Sequence, residues 1–174
     1  MGPRFGPASA GTAGVGDRAH PCPVRRGLRD PDRGSVLRGS VAFDVPAEVA
    51  FDFLVDPANR PLWQSSLKRV EDVEPARPVV GQTWVDVTAP GIRPRMETTV
   101  LDRARTWTET GRWRGITAEL TLGFEPDGGG CRVSAQAQVR GAVLGGVVTL
   151  LAPYVVASDL KKAAAILSER AVGQ

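Results

Sequence analysis

The chain has 174 residues with a formal charge of +3 from 22 basic and 19 acidic side chains, long enough for one domain with a sizeable core. The excess lies in residues 1–34, where six arginines oppose three aspartates, while residues 35–174 hold 16 of each sign. The balanced part has no overall pull toward phosphate backbones, so nucleic acid is not an expected partner.

Residues 1–34 contain seven glycines, five prolines and almost no large apolar side chain. Such a segment buries too little surface to offset its ordering entropy, and we read it as a disordered tail. The alternative, a basic arm for nucleic acid, lacks the interleaved aromatics that would support it. No apolar run of signal-peptide length interrupts the tail. The domain is expected to span 35–174. Val36 to Phe43 reads as its first strand. Asp44-Val45-Pro46-Ala47-Glu48 then carries a helix start, with proline at the first helical position and an acid in the first turn. Pro46, Val49, Ala50, Phe53 and Leu54 form the apolar face of that helix, and Asp56-Pro57 restarts a second short helix that runs to about Trp63.

Strand patterns follow at Leu67 to Val73, Gln82 to Thr88, Arg93 to Leu101, Thr106 to Trp113, Thr117 to Phe124 and Cys131 to Arg140, the last two alternating cleanly and joined by Asp127-Gly128-Gly129-Gly130. The only long helical pattern is Leu144 to Arg170. Its second half is one-sided, with Val156, Leu160, Ala163, Ile166 and Leu167 on one stripe. Its first half is apolar all round. The apolar run Ala142 to Ala157 covers 16 residues, against about 20 for a membrane span, so a buried helix is expected and no transmembrane segment. Pro153 predicts a kink there. We read this half as a lid, with Leu151, Tyr154 and Val155 nearest any ligand. The order of elements describes an α+β fold in which a curved antiparallel sheet of about seven strands wraps around one long C-terminal helix, with two short helices after the first strand. The space between sheet and helix is the natural pocket.

These residues resemble a known family. Val41-Ala42-Phe43-Asp44-Val45-Pro46-Ala47-Glu48-Val49-Ala50-Phe51 is similar to the opening strand and helix of the SRPBCC (START-like) superfamily. Asp56-Pro57 through Trp63 is similar to its second helix, and Val80-Gly81, the glycine hairpin before Cys131-Arg132-Val133-Ser134 and the closing helix come in the expected order. The resemblance spans 36–170 and is closest to the polyketide cyclase/dehydrase and lipid-transport branch. It implies a helix-grip fold whose cavity takes a lipid, polyketide, quinone or similar small hydrophobic molecule. It implies no catalytic residue, because the matched motifs are structural, and fold alone does not fix function. Trp63 matches a family position at the end of the second short helix, which implies a place at the cavity mouth or a structural wedge.

The domain's own chemistry narrows the choice. The only histidine, His20, lies in the tail, which removes imidazole catalysis and histidine-containing zinc sites from the domain. Cys22 and Cys131 make no disulfide framework and suit a reducing cytoplasm. No phosphate-binding glycine motif is present, and neither metal nor cofactor is expected. Strand alternation turns inward Trp84 and Asp86; Met96, Thr98 and Val100; Trp107, Glu109 and Trp113; Leu120, Leu122 and Phe124; and Val133, Ala135 and Ala137. Facing an apolar cavity, Asp86 and Glu109 would have raised pKa values and are the candidate acid–base groups. A bulge or one-residue slip would instead put both outside as solvated charges. The tryptophans either fill the core or line a ligand site, and Arg93 and Arg95 either meet an acidic head group at the rim or are solvated. The leading expectation is a carrier or sensor of a small hydrophobic ligand rather than an enzyme. The alternatives are a cyclase or dehydratase working through cavity carboxylates, and a protein-interaction module.

Overall fold

The computed structural model describes residues 36–141 and 145–173, with side chains described over 38–141 and 156–173; the tail 1–34 lies outside these. The first strand, β1, is Val36–Phe43. Helix α1 is Ala47–Val55. Pro46 is its N-cap rather than its first residue, and its carbonyl accepts from the amides of Val49 and Ala50 at 3.0 and 3.1 Å. The Asp56-Pro57 restart caps as its sequence requires. Asp56 accepts from the Ala58 amide at 2.9 Å and opens a 3-10 turn, Pro57–Asn59. This turn leads into the single-turn helix α2, Arg60–Trp63.

Six strands follow: β2 Leu67–Glu74, β3 Thr83–Thr88, β4 Arg95–Asp102, β5 Thr106–Trp113, β6 Ile116–Asp127 and β7 Gly130–Arg140. All seven strands form one antiparallel sheet in the order β1-β7-β6-β5-β4-β3-β2. The strands from β2 to β7 are a meander, and β1 closes on the last of them with Val41 opposite Val133 and Phe43 opposite Cys131. The β6–β7 turn needs glycine for space as well as conformation, since a Cβ at Gly130 would lie 2.1 Å from the Phe43 carbonyl oxygen. Helix α3, Gly145–Val172, lies against β1 and β7 and also touches α1 and α2. The result is the α+β helix-grip arrangement.

The amphipathic half of α3 behaves as its spacing requires. Leu160, Ala163 and Leu167 are buried, and Val156 and Ile166 pack partly against the same core. Fully burying a side chain such as Leu160 stabilises the fold by about 1.5–3 kcal/mol. Asp159, also buried, accepts from the Ser65 amide at 3.1 Å and from the Ser65 hydroxyl, which fixes the linker after α2 to α3. The expected lid residues Leu151, Tyr154 and Val155, and the kink at Pro153, fall in the stretch whose side chains lie outside the described residues.

Alternation correctly places the inner face of the sheet, with one correction. Trp84, Met96, Thr98, Trp107, Leu122, Phe124, Val133 and Ala135 are buried. Val100 is not among them and is 43% exposed. A bulge between Thr98 and Val100 shifts the β4–β5 register, so Thr98 faces Glu109 while Val100 faces Thr108. The extra residue reverses the phase of the strand, and Leu101 takes the inward place instead.

Candidate functional site

Two strands bring inward side chains to Arg60 of α2, and the site follows from their order. Along β3 the inner face reads Trp84, Asp86, Thr88; along β5 it reads Trp107, Glu109, Gly111, Trp113. The tryptophans Trp84 and Trp107 are in the packed core at 1% and 0% exposure. One step further along each strand comes a carboxylate, and one step beyond that the wall of a cavity. The alternative of solvated outside carboxylates is thus set aside: Asp86 and Glu109 are each 4% exposed, and both line the cavity.

Arg60 of α2 joins them. It is 2% exposed, and its guanidinium lies between the two acids. Nη1 donates to Glu109 Oε2, Nη2 to Glu109 Oε1 at 3.0 Å and Nη2 also to Asp86 Oδ2 at 3.1 Å. Trp84 Nε1 donates to the other Asp86 oxygen at 2.9 Å. The Arg60 guanidinium carbon stands 5.2 Å from the Trp84 ring centre and 5.9 Å from that of Trp107, so the cation also meets two aromatic faces. Arg60 Nε, equally buried, finds no partner among the described residues.

One cation against two acids in a dry place leaves a surplus of negative charge. Burial pushes the Glu109 carboxyl above the ordinary carboxylate range; Arg60 opposes this and the neighbouring Asp86 adds to it. Burial also opposes the Arg60 charge, but Glu109 and then Asp86 outweigh it and hold the guanidinium above its usual value. Such a buried cluster is a poor source of net stability, because desolvation roughly cancels attraction, yet removing one member is costly.

The cavity beyond the cluster has a volume of about 320 Å³, at the lower end of the usual range for small-molecule sites. Its polar wall is Arg60, Asp86 and Glu109, with Gln64, Ser66 and Thr88 nearby; Leu67, Ile92, Pro94, Met96, Trp113, Ile116 and Ala118 supply the apolar walls. Space comes from a pair of small residues, Gly111 opposite Ala118. A Cβ on Gly111 would lie 2.7 Å from the sulfur of Met96, so the glycine lets the methionine lie across the floor.

Of the expected ligand-contacting residues, Met96 lines this cavity, as do both candidate carboxylates. Trp63, Trp84, Thr98, Trp107, Leu122 and Phe124 are buried and Leu120 is half-buried, and none of them lines this cavity. Trp107 Nε1 donates to Thr98 Oγ1 at 3.3 Å within the core. Arg93 pairs with Glu71 on the surface, and Arg95 is exposed; neither lines the cavity. Sequence reasoning missed Arg60, although two signals pointed to it. It sits one turn before Trp63 and so shares its buried face, and two inward carboxylates require a cation.

A family model described as polyketide cyclase / dehydrase and lipid transport matches residues 36–172. A search of curated proteins returned no match. Among solved structures, a protein from Mesorhizobium loti superposes with a TM-score of 0.64 at 14% identity, covering 78% of this chain and 98% of that one. A protein from Deinococcus radiodurans superposes with a TM-score of 0.58 at 18% identity, covering 80% and 100%. Norcoclaurine synthase from Thalictrum flavum, solved as a point mutant with a transition-state analogue, gives 0.61 at 12% identity, covering 80% and 97%. At these identities the structural likeness establishes the fold. No helix among the described residues is long and apolar enough to cross a membrane.

Proposed function

The chain belongs to the polyketide cyclase/dehydrase and lipid transport family, and on that premise we propose that it binds a small hydrophobic molecule in the cavity beneath α2, as a carrier or sensor. The observation that carries this reading is a cavity of about 320 Å³ lined mostly by apolar and small residues, with polar groups supplied by Arg60, Asp86 and Glu109 and by Gln64, Ser66 and Thr88. Apolar walls supply affinity, and one polar side fixes orientation. Cytoplasmic action belongs to the same proposal, supported by Cys131 as a free, buried thiol. Native mass spectrometry of the gently purified full chain is expected to show an adduct that dissociates on unfolding. A chain with neither an adduct nor saturable uptake of a neutral apolar dye such as Nile red overturns the proposal.

A second reading, a cyclase- or dehydratase-type enzyme, is favoured by the position of Glu109. A carboxylate with a raised pKa is a stronger base at neutral pH than a free one, and this one lines the ligand cavity. In that reading a C–H bond beside a substrate carbonyl gives its proton to Glu109 and leaves its electron pair in an enolate, which attacks a second carbonyl of the same molecule. The double variant D86N/E109Q is expected to lose turnover of a poly-β-ketone; retention of full turnover excludes this mechanism.

A further inference from the structure

The ligand-binding reading leaves open what the polar end of the ligand is, and the cluster itself restricts it. Each carboxylate oxygen of Asp86 and Glu109 accepts one hydrogen bond, from Arg60 or from Trp84 Nε1. Each can accept two. Unused acceptor capacity therefore lies on the cavity wall, where the other polar side chains are Gln64, Ser66 and Thr88. The Thr88 hydroxyl is already donated to the Ile92 carbonyl at 3.0 Å. Charge points the same way, since two acids share one guanidinium.

Anionic ligands find the opposite. Arg60 is the only lysine, arginine or histidine on the cavity wall among the described residues. Three of its five N–H donors go to the two acids, which hold the guanidinium charge between them, and Nε is buried. The undescribed stretch 142–155 contributes no cation either, because it contains no charged residue. Among the described residues a ligand carboxylate would meet two carboxylates and no positive charge that is not already paired with them, and like charges in a low-dielectric site repel strongly.

Building on the ligand-binding reading, we infer that the cavity selects an apolar molecule whose polar end is a hydrogen-bond donor, a hydroxyl or a protonated amine, and refuses carboxylate-ended molecules such as fatty acids. Arg60 is then a positioning residue that holds both carboxyl groups aimed at the cavity, while Asp86 and Glu109 receive the donor.

Isothermal titration of the full chain at neutral pH with four probes on one skeleton tests this: 2-naphthylmethylamine, 2-naphthylmethanol, 2-naphthoate and 2-methylnaphthalene. At least one donor-ended probe is expected to bind about tenfold or more tightly than 2-naphthoate. An amine ahead of the alcohol supports charge as the selector; equal binding of the two supports hydrogen bonding. The preference is expected to shrink in Asp86→Asn, and in Glu109→Gln should the first variant not fold. Naphthoate binding as tightly as the donor-ended probes, or a preference unchanged in a folded amide variant, overturns the inference while leaving ligand binding intact. Silence from all four probes, the neutral hydrocarbon included, removes the ligand-binding reading and this inference together.

Discussion

The concave face of the sheet is one surface put to two uses. Toward β1, β7 and α3 it is filled by Phe43, Phe124, Leu122, Val133 and Trp107 packed against Leu54, Leu160 and Ala163. Toward the β3–β6 end the same alternation presents Gly111, Ala118 and Thr88, and the surface opens into the cavity. Asp86, Glu109 and Arg60 stand at the border between them. The two halves share backbone geometry and differ in side-chain volume, so filled core and ligand space are both written by residue size at inward positions. The border carries charge where neither half alone would tolerate it. The tryptophan faces shield Arg60 on one side, and the cavity gives the carboxylates an outlet on the other.

The sharpest way to break the comparison is to remove the cation at the border. Arg60→Ala leaves two buried carboxyl groups with no cation between them, Asp86 keeping only its bond from Trp84 Nε1, and is expected to cost about 3–5 kcal/mol in denaturant unfolding. Replacing all three charges by neutral residues of similar size, as in R60M/D86N/E109Q, should recover much of that loss, because the penalty belongs to the unpaired acids rather than to the missing pair. A triple variant no more stable than Arg60→Ala would show that the cluster is an anchor of the fold in its own right.

A smaller effect tests the role of side-chain volume. Gly111→Ala places a methyl group 2.7 Å from the Met96 sulfur and 3.0 Å from its terminal carbon. Methionine is flexible and can yield, so the expected cost in stability is about 1–3 kcal/mol. Its displaced side chain enters the cavity, and affinity for any cavity probe should fall by a larger fraction than stability does. Titration and urea unfolding of the same variant separate the two. Equal affinity with reduced stability would mean that the Gly111 floor is not part of the ligand space.

How much of this was legible in the sequence divides along the same border. The filled half was open to period-two reasoning, because Trp107, Leu122, Phe124 and Val133 are apolar residues that alternation alone can turn inward. The order of elements was legible too, since the Asp56-Pro57 restart and the Asp127 to Gly130 turn carry local chemistry. Val100 was misplaced because a bulge is a one-residue event that leaves no mark on hydrophobic alternation. The cavity was harder. Its defining residues, Gly111 and Ala118, are small, and an absent side chain gives no signal in a pattern of apolar positions. Trp84 and Trp107 look like ligand contacts for the opposite reason, since size suggests importance without saying whether the site is packed. Asp86 and Glu109 were legible as inward acids, but their partner comes from a helix of one turn, where the spacing from Arg60 to Trp63 is the only periodic signal.

The smallest expected effect concerns pH, and its sign distinguishes the border from the surface. Glu109 has a folded-state pKa raised mainly by burial, with Asp86 adding to the shift and Arg60 opposing it. The folded chain therefore holds this proton more tightly than the unfolded chain does, and protonation favours folding. Its contribution is fully present below the unfolded carboxylate value of about 4.3 and is lost as pH rises through the folded value. Glu71 has the opposite sign. Hydrogen bonds from Arg93 and then Arg69 hold its carboxyl below the ordinary range, so the stability it adds is present above the unfolded value and lost as pH falls. Because Glu71 is on the surface, salt screens its effect, whereas the buried Glu109 is screened far less. Subtracting the unfolding free energies of Glu109→Gln from those of the native chain, between pH 4 and 8, isolates the buried group. The native chain should lose stability relative to the variant as pH rises over that window, with little change on adding salt. A difference that is flat, or that runs the other way, would mean that Arg60 compensates Glu109 fully and that the border carries no surplus charge for a ligand donor to meet.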